Sequence, residues 1–537
     1  MSFNLTSEPW IPVLRLDGTS DQLSLRECFS EADQIRRLST ELPTQSFAVL
    51  RVLLAIIHDA IGIHWESDLE ELHEEGLDLE RIEAYLTEYE DRFDLFHPTR
   101  PFMQVATLRT AKNEASGLEK LISDVPNGDP FLTTRAGQGL SKIEAAEAAL
   151  WLIHCHAFDP SGIRSGAVGD PEVKGGKGYP IGPGWAGQIG GVVLHGKHLA
   201  DTLLFNLSTT PENPEDHPVW ARDEAQSEQR DLEAQPRGPV DLLAWQSRRV
   251  RLVGDAASGV TGVVLCQGDK VTPQNRHTLE PMTAWRYSKP QSQKFKQAVY
   301  MPLKHDPTRA AWRGAPAMLS HAVTEVDGHE ATLQPTTTRM LKGLDPSGTK
   351  DLSATLELVG MEYGPQEATV ADLYHDTLDF RVSLLGDKAA PVVAMIHDAL
   401  VNTDRAVWEL GRLAKNLDYA AGGDEKSAGD DMKVVGAAQR AQLAAWSALD
   451  APARDWLAGL SATTDTVEAH RDWQRQVHGV LMSEAGRLIT TCPPAAVAGR
   501  ETKRGFMTAG LAESYFHTAL RKQLSLLEQP IQRGEQE

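Results

Sequence analysis

Along the first hundred residues the apolar positions cluster at helical spacing. Ser46 to Ile61 is dense in Ala, Val, Leu and Ile and predicts a strongly apolar helix, and Glu66 to Asp94 carries Leu69, Leu72, Leu77 and Leu79 against an acidic background, predicting an amphipathic helix pair. An alanine-rich segment, Ser141 to His156, predicts a further helix. Short alternating runs within 240–280, such as Val250-Arg251-Leu252-Val253 and Val260 to Cys266, predict strands. Residues 317–360 are expected to be helical, with a loop near Asp345-Pro346-Ser347-Gly348.

Beyond about Gly386 the alternation gives way to helical periods. Val393, Ile396, Leu400, Val407 and Leu410 share one face, and Trp473, Val477, Val480, Leu481 and Leu488 share another. Gly422-Gly423, Asp450-Ala451-Pro452 and Pro493-Pro494 are expected to divide this region into four or five helices. The pattern predicts a mixed α/β N-terminal domain over 1–385 followed by an all-α helical bundle over 386–537, of the four-helix kind.

Two irregular stretches interrupt the pattern. Thr209 to Gln235 is acidic and proline-rich, as a surface excursion would be. Ser161 to Gly191 holds eleven glycines, too many for a helix or strand interior, and suits either close backbone approach to a partner or a mobile loop.

Composition narrows the class. Lys and Arg number 53 against 75 Asp and Glu, a formal charge of −22, which argues against a free-standing nonspecific nucleic-acid binder. The longest apolar run, Val52 to Ile57, is too short for a membrane span, and the N-terminus lacks the basic and apolar regions of a secretory signal. The four cysteines are far apart, with no metal or redox spacing. A soluble cytoplasmic protein without membrane contact is expected.

Several motifs carry less than they suggest. Gly182-Pro183-Gly184-Trp185-Ala186-Gly187 fits G-x-G-x-x-G, but Tyr179-Pro180 before it and Gly190-Gly191 after it deny it the strand and helix of a dinucleotide site. Gly175-Gly176-Lys177-Gly178 lacks the hydroxyl residue of a P-loop. His154-Cys155-His156 on a helix cannot converge on one ion. His305-Asp306 and His375-Asp376 lack a nucleophile or second carboxylate beside them. The segment Trp285 to Arg313 stands apart. Its 29 residues hold seven cations against one acid, Asp306, with Trp285, Tyr287, Phe295, Tyr300 and Trp312 interleaved. Cations that release phosphate counterions, beside rings that stack on bases, favour a nucleic-acid surface, the alternative being a solvated or internally paired basic face.

Together these features resemble the CasA-type large subunit of the type I-E CRISPR surveillance complex, Cascade. Phe3 to Val13 is similar to that family's opening, and Pro101-Phe102-Met103-Gln104, Gly137-Gln138-Gly139, Glu280 to Arg286 and Met361 to Ala368 follow in the family's order. The resemblance implies a non-catalytic reader of the protospacer-adjacent motif (PAM) in double-stranded DNA, acting largely in the minor groove, promoting duplex opening for the guide CRISPR RNA and recruiting a helicase–nuclease. Its partners would be the other Cascade subunits, the guide RNA and the target DNA. A glycine loop maps to Ser161, Gly162 and Gly166; a lysine finger to Lys294, with Lys289 second; a glutamine wedge to Gln366, beside a departure from the family at Glu367; and a guide-RNA or docking loop to Phe131, Leu132 and Thr133. Some relatives hold zinc with four cysteines, but only Cys266 lies near that region, so neither a metal nor another cofactor is expected. The rival readings are a metal-dependent nuclease or hydrolase and a purely architectural bridging subunit.

Overall fold

The computed structural model describes residues 2–123, 141–231, 236–319, 325–344, 352–423, 436–502 and 505–527. They fall into two compact units. One gathers the described parts of 1–311, 317–346 and 352–378; the other gathers 312–316 and 379–537.

The first unit is built on the helix Pro43–Ile61. Pro43 sits in its first turn, where the missing N–H costs nothing, and Gly62 ends it in the left-handed region at φ +71°. Among the described residues this helix alone is long and apolar enough to cross a membrane, but it is buried in the fold and packs against Leu79–Glu88, Ala145–Phe158, Pro239–Leu243 and the strand Ser353–Tyr363. The acidic pair appears as Glu66–Glu75 and Leu79–Glu88, which bury Leu69, Leu72, Ile82 and Leu86.

Strands surround this core. Ile11–Arg15 lies between Ser20–Leu23 and Ile35–Leu38, and Arg248–Asp255 pairs with Gly259–Gln267 with Val250 opposite Leu265. Ser353–Tyr363 is the centre of a sheet ordered Val370–Arg381, Ser353–Tyr363, Gly191–His195, with Leu356 opposite Leu194 and Leu358 opposite Val192. Its alternating Ala354, Leu356 and Leu358 are buried.

The helical expectation for 317–360 does not hold. Among the described residues, only Ala315–Leu319 and Thr336–Leu341 are α-helical there; Glu325–Val326, His329–Glu330 and Thr332–Leu333 are two-residue strands, and Ser353 opens the central strand. Pieces this short offer no period to read.

The second unit contains the long helices Ala390–Ala421, Ala437–Gly459, Thr466–Thr490 and Ala509–Gln523, the first packing against the other three. Gly422, at φ +107°, ends the first. Pro452 does not break the second, contrary to expectation: the helix runs through it, held by buried Leu449, Ala453 and Trp456. A small hairpin, Arg500–Thr502 with Gly505–Met507, also interrupts what the sequence suggested was purely helical. Trp312 is buried in this unit. Its Nε1 donates to Asp450 Oδ1 at 3.0 Å, and its ring lies 5.8 Å from Trp446 and 6.1 Å from Trp473.

Candidate nucleic-acid interface

The turn joining Ser353–Tyr363 to Val370–Arg381 carries Gln366 at its tip. Gly364 N donates to Thr369 O at 2.9 Å, closing the turn, and Pro365–Glu367 form one 3-10 turn. Gln366 and Glu367 both take left-handed backbone, at φ +59° and +56°. For residues with a Cβ this costs about 1–2 kcal/mol each, so the surroundings must hold the shape. They do so with Glu367 N donating to Gly364 O at 2.9 Å and Ser161 N donating to Glu367 O at 2.8 Å. Pro365 through Thr369 are exposed. A rigid, projecting turn results, and Ser161 is joined to it through the backbone.

The glycine-rich stretch is fixed by buried cations rather than left mobile. Arg248, fully buried, donates through Nη2 to the carbonyls of Asp159, Pro160 and Gly182 at 3.1, 3.0 and 2.9 Å. Arg164 Nη2 donates to Asp159 Oδ2 at 2.7 Å, and Gln267 Nε2 donates to Gly162 O at 2.8 Å. Ser161 and Gly166 are buried while Gly162 is half-buried. A Cβ on Gly166 would meet Val173 Cγ1 at 2.4 Å, so this glycine serves close packing inside the stretch, not a surface. Gly184 does the same against helix Ala145–Phe158, where a Cβ would lie 2.4 Å from the Ala157 carbonyl.

The basic segment divides. Lys289 and Lys294 are exposed on the short helix Lys289–Phe295; Lys289 Nζ lies 3.3 Å from Asp327 Oδ2, and Lys294 Nζ lies 5.4 Å from the Phe295 ring centroid. Lys304 is the lysine beside the turn, 3.7 Å from Glu367 Oε1 and 5.9 Å from the Tyr363 ring centroid. Of the interleaved rings, Trp285 and Trp312 are buried and only Phe295 is largely exposed, so most of the expected stacking surface is core. A cleft of about 390 Å³ borders the turn, lined by Lys304, His305, Asp306, Glu362, Tyr363 and Glu367 among others. Tyr363 is fixed there by donating from its hydroxyl to Phe158 O at 2.7 Å.

The arrangement therefore brings Gln366, Ser161 and Lys304 to one place. Gly166 points inward, and Lys289 and Lys294 have partners elsewhere. The Lys304–Glu367 contact had no signal in the sequence beyond membership of the basic segment. Phe131, Leu132 and Thr133 lie outside the described residues, as does Gly137-Gln138-Gly139.

The histidines that the sequence singled out are bonded within the fold. His154 Nε2 lies 2.9 Å from Thr44 Oγ1 and His156 Nε2 2.9 Å from Met103 O; burial pushes their pKa values down to about 3 and about 4. His305 Nε2 donates to Gly191 O at 2.8 Å, while His375 Nε2 pairs with Glu357 at 2.8 Å, so neither forms a dyad with the aspartate that follows it. Among the described residues no group of three or more His, Cys, Asp or Glu side chains could hold a metal ion.

Three of the landmark motifs, Phe3 to Val13, Pro101 to Gln104 and Glu280 to Arg286, are structural anchors. Trp10 Nε1 donates to Leu5 O at 3.0 Å, and Gln104 joins Leu95 O to Leu252 N. Glu280 takes both guanidinium arms of Arg51 at 2.9 Å and the Trp185 Nε1–H at 2.6 Å.

Residues 4–483 match the family described as CRISPR-associated protein Cse1. The chain belongs to the Cse1 family. A curated relative, CRISPR-associated protein CasA/Cse1 of Thermus thermophilus, is 30% identical over 330 residues, an alignment covering 59% of this chain and 60% of that relative's length. The crystal structure of Thermobifida fusca Cse1 superposes with a TM-score of 0.88 at 40% identity, covering 98% of both chains. A chain of a CRISPR RNA-guided surveillance complex shares the fold at TM-score 0.66 and 18% identity, over 91% of this chain and 99% of that one. Among Cse1 proteins, then, the scaffold is common, and the Gln366 turn, its Ser161 bond and Lys304 are built upon it.

Proposed function

We propose that this Cse1 protein is the large, non-catalytic subunit of a cytoplasmic Cascade complex. It reads the PAM of double-stranded DNA in the minor groove, helps open the duplex for the guide CRISPR RNA, and recruits a helicase–nuclease. Family membership supports the assembly with other Cascade subunits, and the four long helices are read as a bundle that meets them. The observation that carries the reading is the exposed Gln366, at the tip of a turn whose backbone is strained and yet pinned to Ser161.

A side chain on such a turn can enter a base step without the turn yielding. Unstacking a step costs a few kcal/mol, which contacts alongside must offset. Lys304 lies beside the tip and becomes a candidate for minor-groove or phosphate contact, with Lys294 and Lys289 earlier in the segment. Minor-groove acceptors are shared by all base pairs, so lysine readout there is permissive. Ser161 and Gly162 contribute backbone at the groove edge, with Gly166 behind them.

The test uses the reconstituted complex with guide RNA. Gln366→Ala should lower the rate of opening an intact PAM duplex about tenfold or more, and spare binding to a target already unpaired next to the PAM. Equal loss on the two substrates overturns the wedge role.

A further inference from the structure

A larger cleft lies elsewhere on the first unit. It has a volume of about 600 Å³, in the range of ligand sites, and shares no lining residue with the cleft beside Gln366. Its wall is the outer face of the sheet centred on Ser353–Tyr363. His195 stands opposite Thr355 in the register, and Glu357 comes two residues later on the same face. His195 Nε2 lies 2.6 Å from one Glu357 oxygen and His375 Nε2, from the strand on the other side, lies 2.8 Å from the second. One carboxylate is thus clasped by two imidazoles in a row across three strands.

Burial alone would push the Glu357 carboxyl up, but the bonds from His195 and His375 hold it down to about 2, so it is ionised at neutral pH. The same bond raises the pKa of His375 above its ordinary value, helped by Asp376 and opposed by burial and by Arg37. Both oxygens of Glu357 are thus bonded inside the wall. Facing the cleft are Arg36 and Arg37, exposed on the strand Ile35–Leu38, and Lys197 after the strand Gly191–His195. Glu41 is the other acid on the lining. Ser39 adds a hydroxyl, while those of Thr40 and Ser46 are bonded to each other at 2.8 Å and Thr40 Oγ1 donates to Leu42 O, over a buried apolar floor of Phe47, Leu50 and Val193.

We propose that this cleft binds a phosphate group carried by a single-stranded nucleic acid or a free nucleotide, held by Arg36, Arg37 and Lys197, with His375 at its edge. Guanidinium forks match phosphate oxygens two at a time, lysine adds a point charge, and the Ser39 hydroxyl completes the shell. The apolar floor accepts the sugar or base. In a chain of charge −22, an arginine pair beside a carboxylate whose two oxygens are clasped by imidazoles is a local exception. The site is independent of PAM reading.

The purified full-length chain is titrated with thymidine 5′-monophosphate by calorimetry and with a short fluorescent oligothymidylate by anisotropy. The oligothymidylate is measured in a Lys289→Glu/Lys294→Glu/Lys304→Glu background, which reduces the contribution of the basic segment. Arg36→Ala/Arg37→Ala should weaken the bound probe about tenfold or more. Lys197→Ala should weaken it less, with the melting temperature of both variants unchanged. Binding should tighten as pH falls from about 8 to about 6, and His375→Gln should flatten that dependence. A strand bound more tightly than the mononucleotide identifies the strand as ligand; equal binding identifies the free nucleotide. No binding of either probe at millimolar concentration, or equal affinity in parent and variants, overturns the proposal.

Discussion

Glu280 opens the basic segment, yet its side chain is fully buried and that of Arg51 only 3% exposed. Replacing it tests whether this landmark is a scaffold element. In Glu280→Ala the Arg51 guanidinium would keep the Leu242 carbonyl at 3.1 Å as a neutral acceptor, but its charge would stand uncompensated in the middle of an apolar helix. Breaking a buried ion pair from one side costs about 3–5 kcal/mol. The Trp185 Nε1–H and the Met282 N–H, which donate to Glu280 at 2.6 and 3.0 Å, would also lose their acceptor. Each orphaned buried donor adds about 1–3 kcal/mol, less than additively, since the same cavity admits relaxation for all three. A loss of about 4–6 kcal/mol is expected, a large share of the roughly 5–15 kcal/mol that stabilises a domain.

The assay is urea unfolding of the purified chain, followed by tryptophan fluorescence with linear extrapolation. A double variant, Arg51→Met/Glu280→Met, separates the causes. Replacing both partners with apolar side chains removes the stranded charge and should recover most of the loss, because buried ion pairs and apolar packing are often close in net stability. A Glu280→Ala variant within about 1 kcal/mol of the parent, or a double variant no better than the single one, would refute the reasoning.

Other perturbations give distinct readouts. Trp312→Ala removes a ring packed among Trp446 and Trp473 and the bond to Asp450; it should cost about 3–5 kcal/mol in the unfolding of the helical unit and leave the first unit's transition in place, as limited proteolysis would report. His154 and His156 are held neutral with pKa values of about 3 and about 4, below the unfolded value of about 6.5, so the unfolded chain binds more protons and stability falls as pH drops below about 6.5. At pH 5 the loss should reach about 2 kcal/mol for each, and His154→Gln should reduce the shift in urea midpoint; coincident midpoints at neutral and acid pH would contradict it. Lys289→Glu/Lys294→Glu should weaken DNA association by the complex and lower its salt slope, by about one for each phosphate that the variant leaves unneutralised, whereas an unchanged slope would remove both lysines from the DNA path.

What could be read in the sequence follows from how each feature is made. The Pro43–Ile61 helix and the face of Val393, Ile396 and Leu400 declare themselves because a buried stripe must repeat every three or four residues. The two-residue strands between 325 and 333 have no room for any repeat, and Pro452 reads as a helix breaker because its tolerance depends on packing around Leu449 and Trp456. At the candidate interface, Gln366 was legible as a residue in a Gly-Pro turn. The left-handed backbone of both Gln366 and Glu367 was not, since it is held by the Ser161 bond, the Glu367–Gly364 bond and the closing Gly364–Thr369 bond. The cations were counted correctly, but their partners lie far along the chain and are set by the fold.

Those partners change what the basic segment means. Arg313 is drawn into the helical unit, 2.9 Å from Asp404 and 3.7 Å from the Trp446 ring centroid, so it is not part of a continuous basic face. Lys289 faces Asp327 and Lys304 faces Glu367, both pairs being largely exposed. Exposed pairs of this kind hold by about 0–1 kcal/mol, so a phosphate can displace the carboxylate at little cost, while a weaker or distant anion gains nothing by doing so. The carboxylates therefore act as a threshold. On the proposed function they would discount diffuse attraction to any polyanion, as the −22 charge of the whole chain also does, and leave the lysines available to a duplex held close by other subunits. On the proposed function, Glu367 then has a physical place: its contact with Lys304 would hold that lysine next to Gln366 until DNA reaches the turn.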